Sequence, residues 1–284
     1  MLEYKCVSVP NSLKCFNLSI DKGSIGILGE RDSGKESVIP ITLGLIRNVT
    51  GEILLDGVDM IKSRDLLFTI RWTKISAVFY DPRTMFDPLY SIGSHFAEIV
   101  ISHGIGDYEY GIETGLEYMK ILGLERDLLD KLPHQLTPIQ LKKASIALAT
   151  FLEPSYVIVD DIEFGLGDIG RAAVMNSLID LMSSVSSSFI FLENNPGILS
   201  RLTDNVIVLY KGEIVEEGKN VLLNPLHPYT IDLIRGDVPD EKIEGKGCPY
   251  STHCRYSTSK CEQEVPWIER GSRRVRCLAH VCGL

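Results

Sequence analysis

The feature that most constrains this chain is a short buried strand, SIGILGE (Ser24 to Glu30), running straight into GERDSGKES (Gly29 to Ser37) and then into the apolar helix SVIPITLGLI (Ser37 to Ile46). A strand, a glycine-bearing turn with a lysine, and a helix form the context in which backbone N–H groups and a helix N-terminus cradle phosphate oxygens. Gly29, Gly34 and Lys35 have the required spacing, and Ser33 and Ser37 lie within the same loop. Two positions depart from the pattern. Asp32 stands where a mid-loop glycine is expected, and Glu36 stands where a Ser or Thr would ligate magnesium. Taken alone, the stretch also fits a chance Gly-Lys turn. Pro40 predicts a bend or loosened first turns in the helix.

The remaining pattern is that of an α/β domain. GEILLDGVD (Gly51 to Asp59) reads as a strand ending in an Asp-Gly turn, and KISAVFYD (Lys74 to Asp81) as another strand. From about Pro88 to Leu152, apolar residues recur at three- and four-residue spacing, as in helices. YVIVDD and SSFIFLEN are continuous apolar runs, as in strands buried on both faces, and a helix (AAVMNSLIDLMSSV) separates them. NVIVLYKGEIVEEG supplies further strand sequence. The Pro- and Gly-bearing stretch Gly236 to Gly247 marks a boundary between residues 1–236 and 237–284.

At 284 residues, 44% hydrophobic and 24% charged, the chain has the composition of a folded domain. A net charge of -9 argues against unspecific binding to nucleic acid or an anionic membrane. Apolar runs such as Ala144 to Leu152 fall short of the ~18 residues a span needs. With no apolar signal segment at the N-terminus, the expected compartment is the cytosol.

Several further motifs follow the phosphate loop in order. SAVFYDPRTMFDP contains Tyr80, LTPIQ contains Thr137, Pro138, Ile139 and Gln140, and VIVDD ends on Asp160 and Asp161. GLG (Gly165 to Gly167), FLENN with Asn194, LYKGEIVEEGK and NPLHPYTIDLI come next. In this order they resemble the ATP-binding subunits of oligopeptide and dipeptide ABC importers over nearly the whole chain. That resemblance implies an α/β fold: a P-loop ABC ATPase core with an antiparallel β subdomain, a helical subdomain at about 88–152, and a C-terminal Cys-rich extension. It places Tyr80 at the Q-loop glutamine, LTPIQ at the LSGGQ signature and Asp160 at the Walker B metal position. Asp161 takes the place of the catalytic glutamate, Asn194 that of the switch histidine, and GLG that of the D-loop. Asn11 is nearest to the position that stacks on adenine.

These departures matter chemically. Asp161 is one methylene shorter than the glutamate that positions the attacking water, and misplacement by ~1 Å costs about a hundredfold in rate. Tyr80 and Asn194 lack the contacts of the residues they replace. Changed together, these positions imply that the chain's own site does not hydrolyse ATP. Glu36 carries two readings. Its carboxylate either occupies the anion site and pairs with Lys35, so that Mg-ATP binds weakly or not at all, or it points to solvent or to magnesium.

Four of the seven cysteines, Cys248, Cys254, Cys261 and Cys277, crowd the C-terminal end, with Cys282 just beyond as a possible substitute for Cys277. In a cytosolic chain this reads as a metal site rather than as disulfides. The spacing is not that of a zinc ribbon. The family resemblance implies a [4Fe–4S] cluster held by the four thiolates, with zinc as the rival. Arg255, Lys260, Arg273, Arg274 and Arg276 could offset its charge, or form a solvated face. Cys6 and Cys15 read as small buried residues.

The resemblance further implies a second, full-motif ABC ATPase subunit, two transmembrane permease subunits and an external substrate-binding protein. The chain would then sit at the cytoplasmic face of the membrane, held through the permeases. Tyr80, Phe86, Leu89 and Tyr90 are expected to offer an apolar surface to a permease helix. An active ATPase subunit, and a non-transport ABC-type regulatory protein, are the alternatives.

Overall fold

The computed structural model describes residues 1–239 and 247–280. The chain forms two compact units, Met1–Arg64 with Phe191–Leu284, and Asp65–Ile190.

The chain enters the first unit through β1 (Leu2–Val9), β2 (Leu13–Ile20) and β3 (Ser24–Leu28). A short helix, α1 (Val38–Thr42), and strands β4 (Thr50–Leu55) and β5 (Val58–Asp59) follow. β2, β1, β4 and β5 form an antiparallel sheet in that order, with Tyr4 and Phe16 meeting edge to face beneath it. α1 is much shorter than the apolar run Ser37 to Ile46 predicts. Pro40 falls within its first turn, where a missing N–H costs nothing. Gly44, at φ 64°, takes the left-handed conformation that ends helices.

The second unit contains α2 (Leu67–Ile70), β6 (Ile75–Val78), α3 (Ile92–Ser102), α4 (Tyr108–Ile121), α5 (Pro138–Thr150), β7 (Tyr156–Asp160) and α6 (Asp168–Ser184). β6 pairs in parallel with β7, and both are almost wholly buried, as their continuous apolar sequences require. α3 and α4 approach closely because Gly111 faces the backbone of Ala97. A Cβ on Gly111 would stand 2.5 Å from the Ala97 Cα. α5 is buried along nearly its whole length.

The chain returns to the first unit within β8 (Ser188–Glu193) and continues through α7 (Pro196–Leu202), β9 (Asn205–Tyr210), β10 (Glu213–Lys219) and α8 (Pro228–Arg235). The hairpin β11 (Ile268–Arg270) and β12 (Arg273–Val275) closes it. β12 pairs antiparallel with β10, β10 with β9, and β9 runs parallel to β3.

Two expectations are corrected here. Cys6 and Cys15 are exposed and joined in a disulfide rather than buried, because bulges in β1 break its in–out alternation. The basic run also has a structural role. Arg274 pairs with Glu217, Arg276 with Glu213 at 2.7 Å, and Arg273 lies 3.9 Å from buried Glu216, so these arginines fasten the terminal hairpin to β10. Arg255 pairs with Asp232 at 2.8 Å.

Candidate functional site

The phosphate loop follows β3 directly. The Gly29 N–H donates to the Glu193 carbonyl at 3.2 Å, which fixes the loop to the end of β8. A Cβ on Gly29 would lie 2.5 Å from Ser33 Oγ, so only glycine fits. Asp32 adopts φ 62°, the left-handed conformation of the glycine it replaces; Asp tolerates this better than most residues. Gly34 is at φ 105°, and Lys35 to Ser37 form a 3-10 turn leading into α1. The fold of the loop is therefore preserved.

Its anion site is filled from within. Glu36 Oε1 accepts the Asp32 N–H at 3.1 Å, and Oε2 accepts the Gly34 N–H at 3.2 Å. Lys35 is buried, and its ammonium donates to Glu36 Oε1 at 3.0 Å and to the Glu30 carbonyl at 3.1 Å. These are the donor types that bind phosphate oxygens in such loops. The loop also rests on the HPYT stretch. The Glu30 N–H donates to the hydroxyl of fully buried Tyr229 at 3.4 Å, and burial raises the pKa of that phenol well above its usual value. Asn194 follows Glu193 at the end of β8, half-buried, and Asn11 is exposed at the β1–β2 turn.

The other motif residues lie in the second unit. Tyr80 is 49% exposed, with its ring edge-on to Phe164 at 4.9 Å. Asp81 caps the following turn and takes a bidentate contact from Arg83, which holds its carboxyl below the usual carboxylate range. Asp160 ends β7, and Asp161 follows at φ 43°; both are half-buried.

The LTPIQ stretch starts α5. Thr137 is the N-cap, and its hydroxyl oxygen accepts the Gln140 N–H at 3.3 Å. Gln140 Oε1 accepts the Thr137 N–H at 2.9 Å and the Thr137 hydroxyl at 3.0 Å, completing a capping box. Pro138 occupies the first helical position, which needs no N–H, and Ile139 packs over Gly170 of α6. The Thr137 hydroxyl and the Gln140 side-chain amide oxygen are thus used to start the helix.

One residue of this half was not anticipated. Lys142 is fully buried, and its ammonium donates to the main-chain carbonyls of Tyr80 and Asp161, both at 2.9 Å. It ties α5 to the two loops that carry Tyr80 and Asp161. The sequence does contain a signal. Lys142 shares a helical face with Ser145, Ile146 and Ala149, all buried, and a lysine on such a face needs acceptors.

Beside it lies an apolar groove of about 660 Å³, with walls that include Pro82, Phe86, Pro88, Leu136, Leu141 and Phe164. Leu89 and Tyr90 are exposed. Phe86, expected at the surface, is instead buried edge-on against His95 at 5.1 Å, with one face on the groove.

In the first unit, Cys248, Cys254, Cys261 and Cys277, none of them in a disulfide, line one cavity of about 20 Å³ together with His227. The Cys248 N–H donates to the Cys261 carbonyl at 2.8 Å, and His227 Nε2 is 3.8 Å from Cys248 Sγ. Burial, reinforced by the neighbouring thiols, pushes the Cys248 thiol up to about 11. Among the described residues, no three His, Cys, Asp or Glu side chains already stand in metal-holding geometry. Cys282 lies outside the described residues.

Residues 13–162 match the ABC transporter family, and the chain belongs to it. Among curated relatives, it is 27% identical to the oligopeptide transport ATP-binding protein AppD of Bacillus subtilis, over 92% of this chain and 88% of that one. It is 28% identical to the dipeptide transport ATP-binding protein DppD of Haemophilus influenzae, over 89% and 84%. Among solved structures, it resembles cbiO1 of Clostridium perfringens, with TM-score 0.68, 23% identity, and coverage of 78% of this chain and 89% of that one. It also resembles the ATP-binding cassette MJ0796 bound to ADP and Pi, with TM-score 0.67, 24% identity, and coverage of 78% and 99%. These structures share the P-loop ABC ATPase fold.

Proposed function

We propose that this chain is the catalytically degenerate nucleotide-binding subunit of a heteromeric importer of the peptide class, paired with a full-motif ATPase subunit. The names of its relatives support the transport class. The observation that carries the degenerate reading is Glu36, whose carboxylate takes two loop N–H groups and the Lys35 ammonium. A γ- or β-phosphate would have to displace a tethered carboxylate already paired with its lysine. Of the two readings of Glu36, engagement of both oxygens favours self-occupation over magnesium ligation. Asp161, Asn194 and Tyr80 point the same way, because each lacks the side chain that the hydrolytic site uses.

Isothermal titration of the isolated chain with Mg-ATP tests this. The wild type should show no binding in the micromolar range, and Glu36→Ser should restore it. Micromolar affinity in the wild type overturns the proposal and favours the active-ATPase alternative.

The remaining parts of the system follow from the same reading. Two transmembrane permease subunits each present a helix to an ATPase subunit, and the groove lined by Phe86, Leu136 and Leu141 suits an apolar helix. An external substrate-binding protein delivers the solute. Among the described residues, no helix is long and apolar enough to cross a membrane, so attachment at the cytoplasmic face would run through the permeases.

Cys248, Cys254, Cys261 and Cys277 supply four thiolates to one small cavity, the donor set of a [4Fe–4S] cluster, with zinc as the alternative. Holding either requires the side chains to open around it. Bound there, the group would cross-link the segment after α8, which has little apolar sequence of its own.

A further inference from the structure

We infer that Cys6 and Cys15 form a reversible thiol-redox site whose state sets how firmly the β1–β2 turn holds the phosphate loop. The proposal is independent of whether that loop binds nucleotide.

The two half-cystines face each other across β1 and β2, nine residues apart in sequence, and both are exposed to a soluble reductant. The strands do not depend on the bond for their pairing. Tyr4 pairs with Leu18 on the open side of it and Val9 with Leu13 on the turn side, the bond straddles the pair Val7 and Phe16, and all of these side chains except half-buried Val9 are buried. Two thiols released here would stay close enough to close again, as a reversible site requires.

Both half-cystines sit at positive φ, 45° for Cys6 and 48° for Cys15, a conformation that residues with a Cβ seldom hold without a constraint. Local contacts support each bulge. The Cys6 N–H donates to Asn17 Oδ1 at 3.0 Å, and the Cys15 N–H to Ser8 Oγ at 2.8 Å. Opening the bond frees these two residues to return toward ordinary strand geometry, which alters the twist of the hairpin between them and its turn.

That turn carries the phosphate loop. Ser12 Oγ is 2.6 Å from Ser37 Oγ and donates to the Gly34 carbonyl at 3.4 Å. The Ser12 carbonyl lies against Gly34 so closely that a Cβ there would stand 2.5 Å away. The Lys14 N–H donates to the Gly212 carbonyl at 2.9 Å, and the Gly212 N–H donates to the Ser33 carbonyl at 2.7 Å. The residues between the two half-cystines therefore include those that brace both ends of the loop's GlyLys turn.

The chemistry is a dithiol–disulfide exchange. A thiolate of a dithiol reductant attacks one sulfur and breaks the Cys6–Cys15 bond, giving a mixed disulfide and one free thiolate. The reductant's second thiol then displaces the other cysteine. Two electrons and two protons pass to the protein, leaving two thiols and the oxidised reductant. A small disulfide oxidant reverses the sequence.

Amide hydrogen exchange on the full chain, with and without dithiothreitol, tests the proposal. Reduction should speed exchange across residues 10–14 and 33–37 by on the order of tenfold, and leave α5 unchanged. Oxidised glutathione should restore the slow rate. A Cys6→Ser, Cys15→Ser double variant should exchange fast in both conditions, which separates this pair from the four C-terminal thiols. If that variant fails to fold, the wild-type comparison still decides. Equal loop exchange before and after reduction overturns the proposal. So does mass spectrometry that finds Cys6 and Cys15 alkylated as free thiols in aerobically prepared protein.

Discussion

Lys142 donates from its ammonium to the main-chain carbonyl of Asp161 at 2.9 Å and, at the same distance, to that of Tyr80. A fully buried cation thus links two loops through backbone atoms, whatever side chains those loops carry. Lys142→Met keeps the apolar stem and removes both donors. Leaving two part-buried carbonyls without this partner should destabilise the chain by about 2 kcal/mol, seen as a lower urea midpoint at unchanged slope. A variant as stable as the wild type would mean that other groups or water satisfy these carbonyls.

Glu216 gives a pH signature. It is fully buried, and desolvation raises its pKa above the ordinary value of 4.5 despite N–H groups donated by His227 and Leu226. A raised carboxyl pKa means that the folded state prefers the protonated form. Its contribution is therefore fully present below about pH 4.5 and is lost as pH rises through the folded value. The stability of the wild type relative to Glu216→Gln should fall across that window and then level off. A flat difference would show that Glu216 titrates in the folded chain as it does unfolded.

In the heteromeric transporter proposed above, Lys35→Ala in this chain should leave most ATPase activity intact. The site built on this chain's loop lacks the magnesium serine and holds its own carboxylate. The equivalent change in the partner's loop should abolish activity. Equal losses from the two would make this chain's site catalytic.

Anaerobically purified protein should be brown, absorb near ~400 nm and carry about four irons per chain. Cys254→Ser and Cys261→Ser should each remove the colour and loosen the segment after α8. Colourless protein with one zinc would overturn the cluster and leave the four-thiol site standing.

Local chemistry was the part of the molecule legible in sequence. The strand, glycine turn and helix start from Ser24 to Thr42 lie within one short stretch, and their order is the one the sequence predicts. The parallel strands β6 and β7 likewise announce themselves as continuous apolar runs. What stayed hidden depends on partners distant in sequence or on irregular backbone. Nothing near Arg274 or Arg276 in the chain reveals Glu217 and Glu213 of β10. The exposure of Cys6 follows from a bulge between Tyr4 and Val7, which alternation cannot show. Lys142 lay on a visibly apolar face, but its acceptors are main-chain carbonyls on two other loops.

The terminal hairpin also has a consequence for solubility. Without it, β10 would present Glu216 to Gly218 as an open row of main-chain donors and acceptors, a template for another chain's strand. β12 fills that row, and the new rim is β11, three residues long, with Glu269 and Arg270 exposed on it. A strand so short and charged recruits little. Among the described residues, the β11–β12 hairpin therefore forms that side of the sheet and guards the protein against growing edge to edge into aggregates.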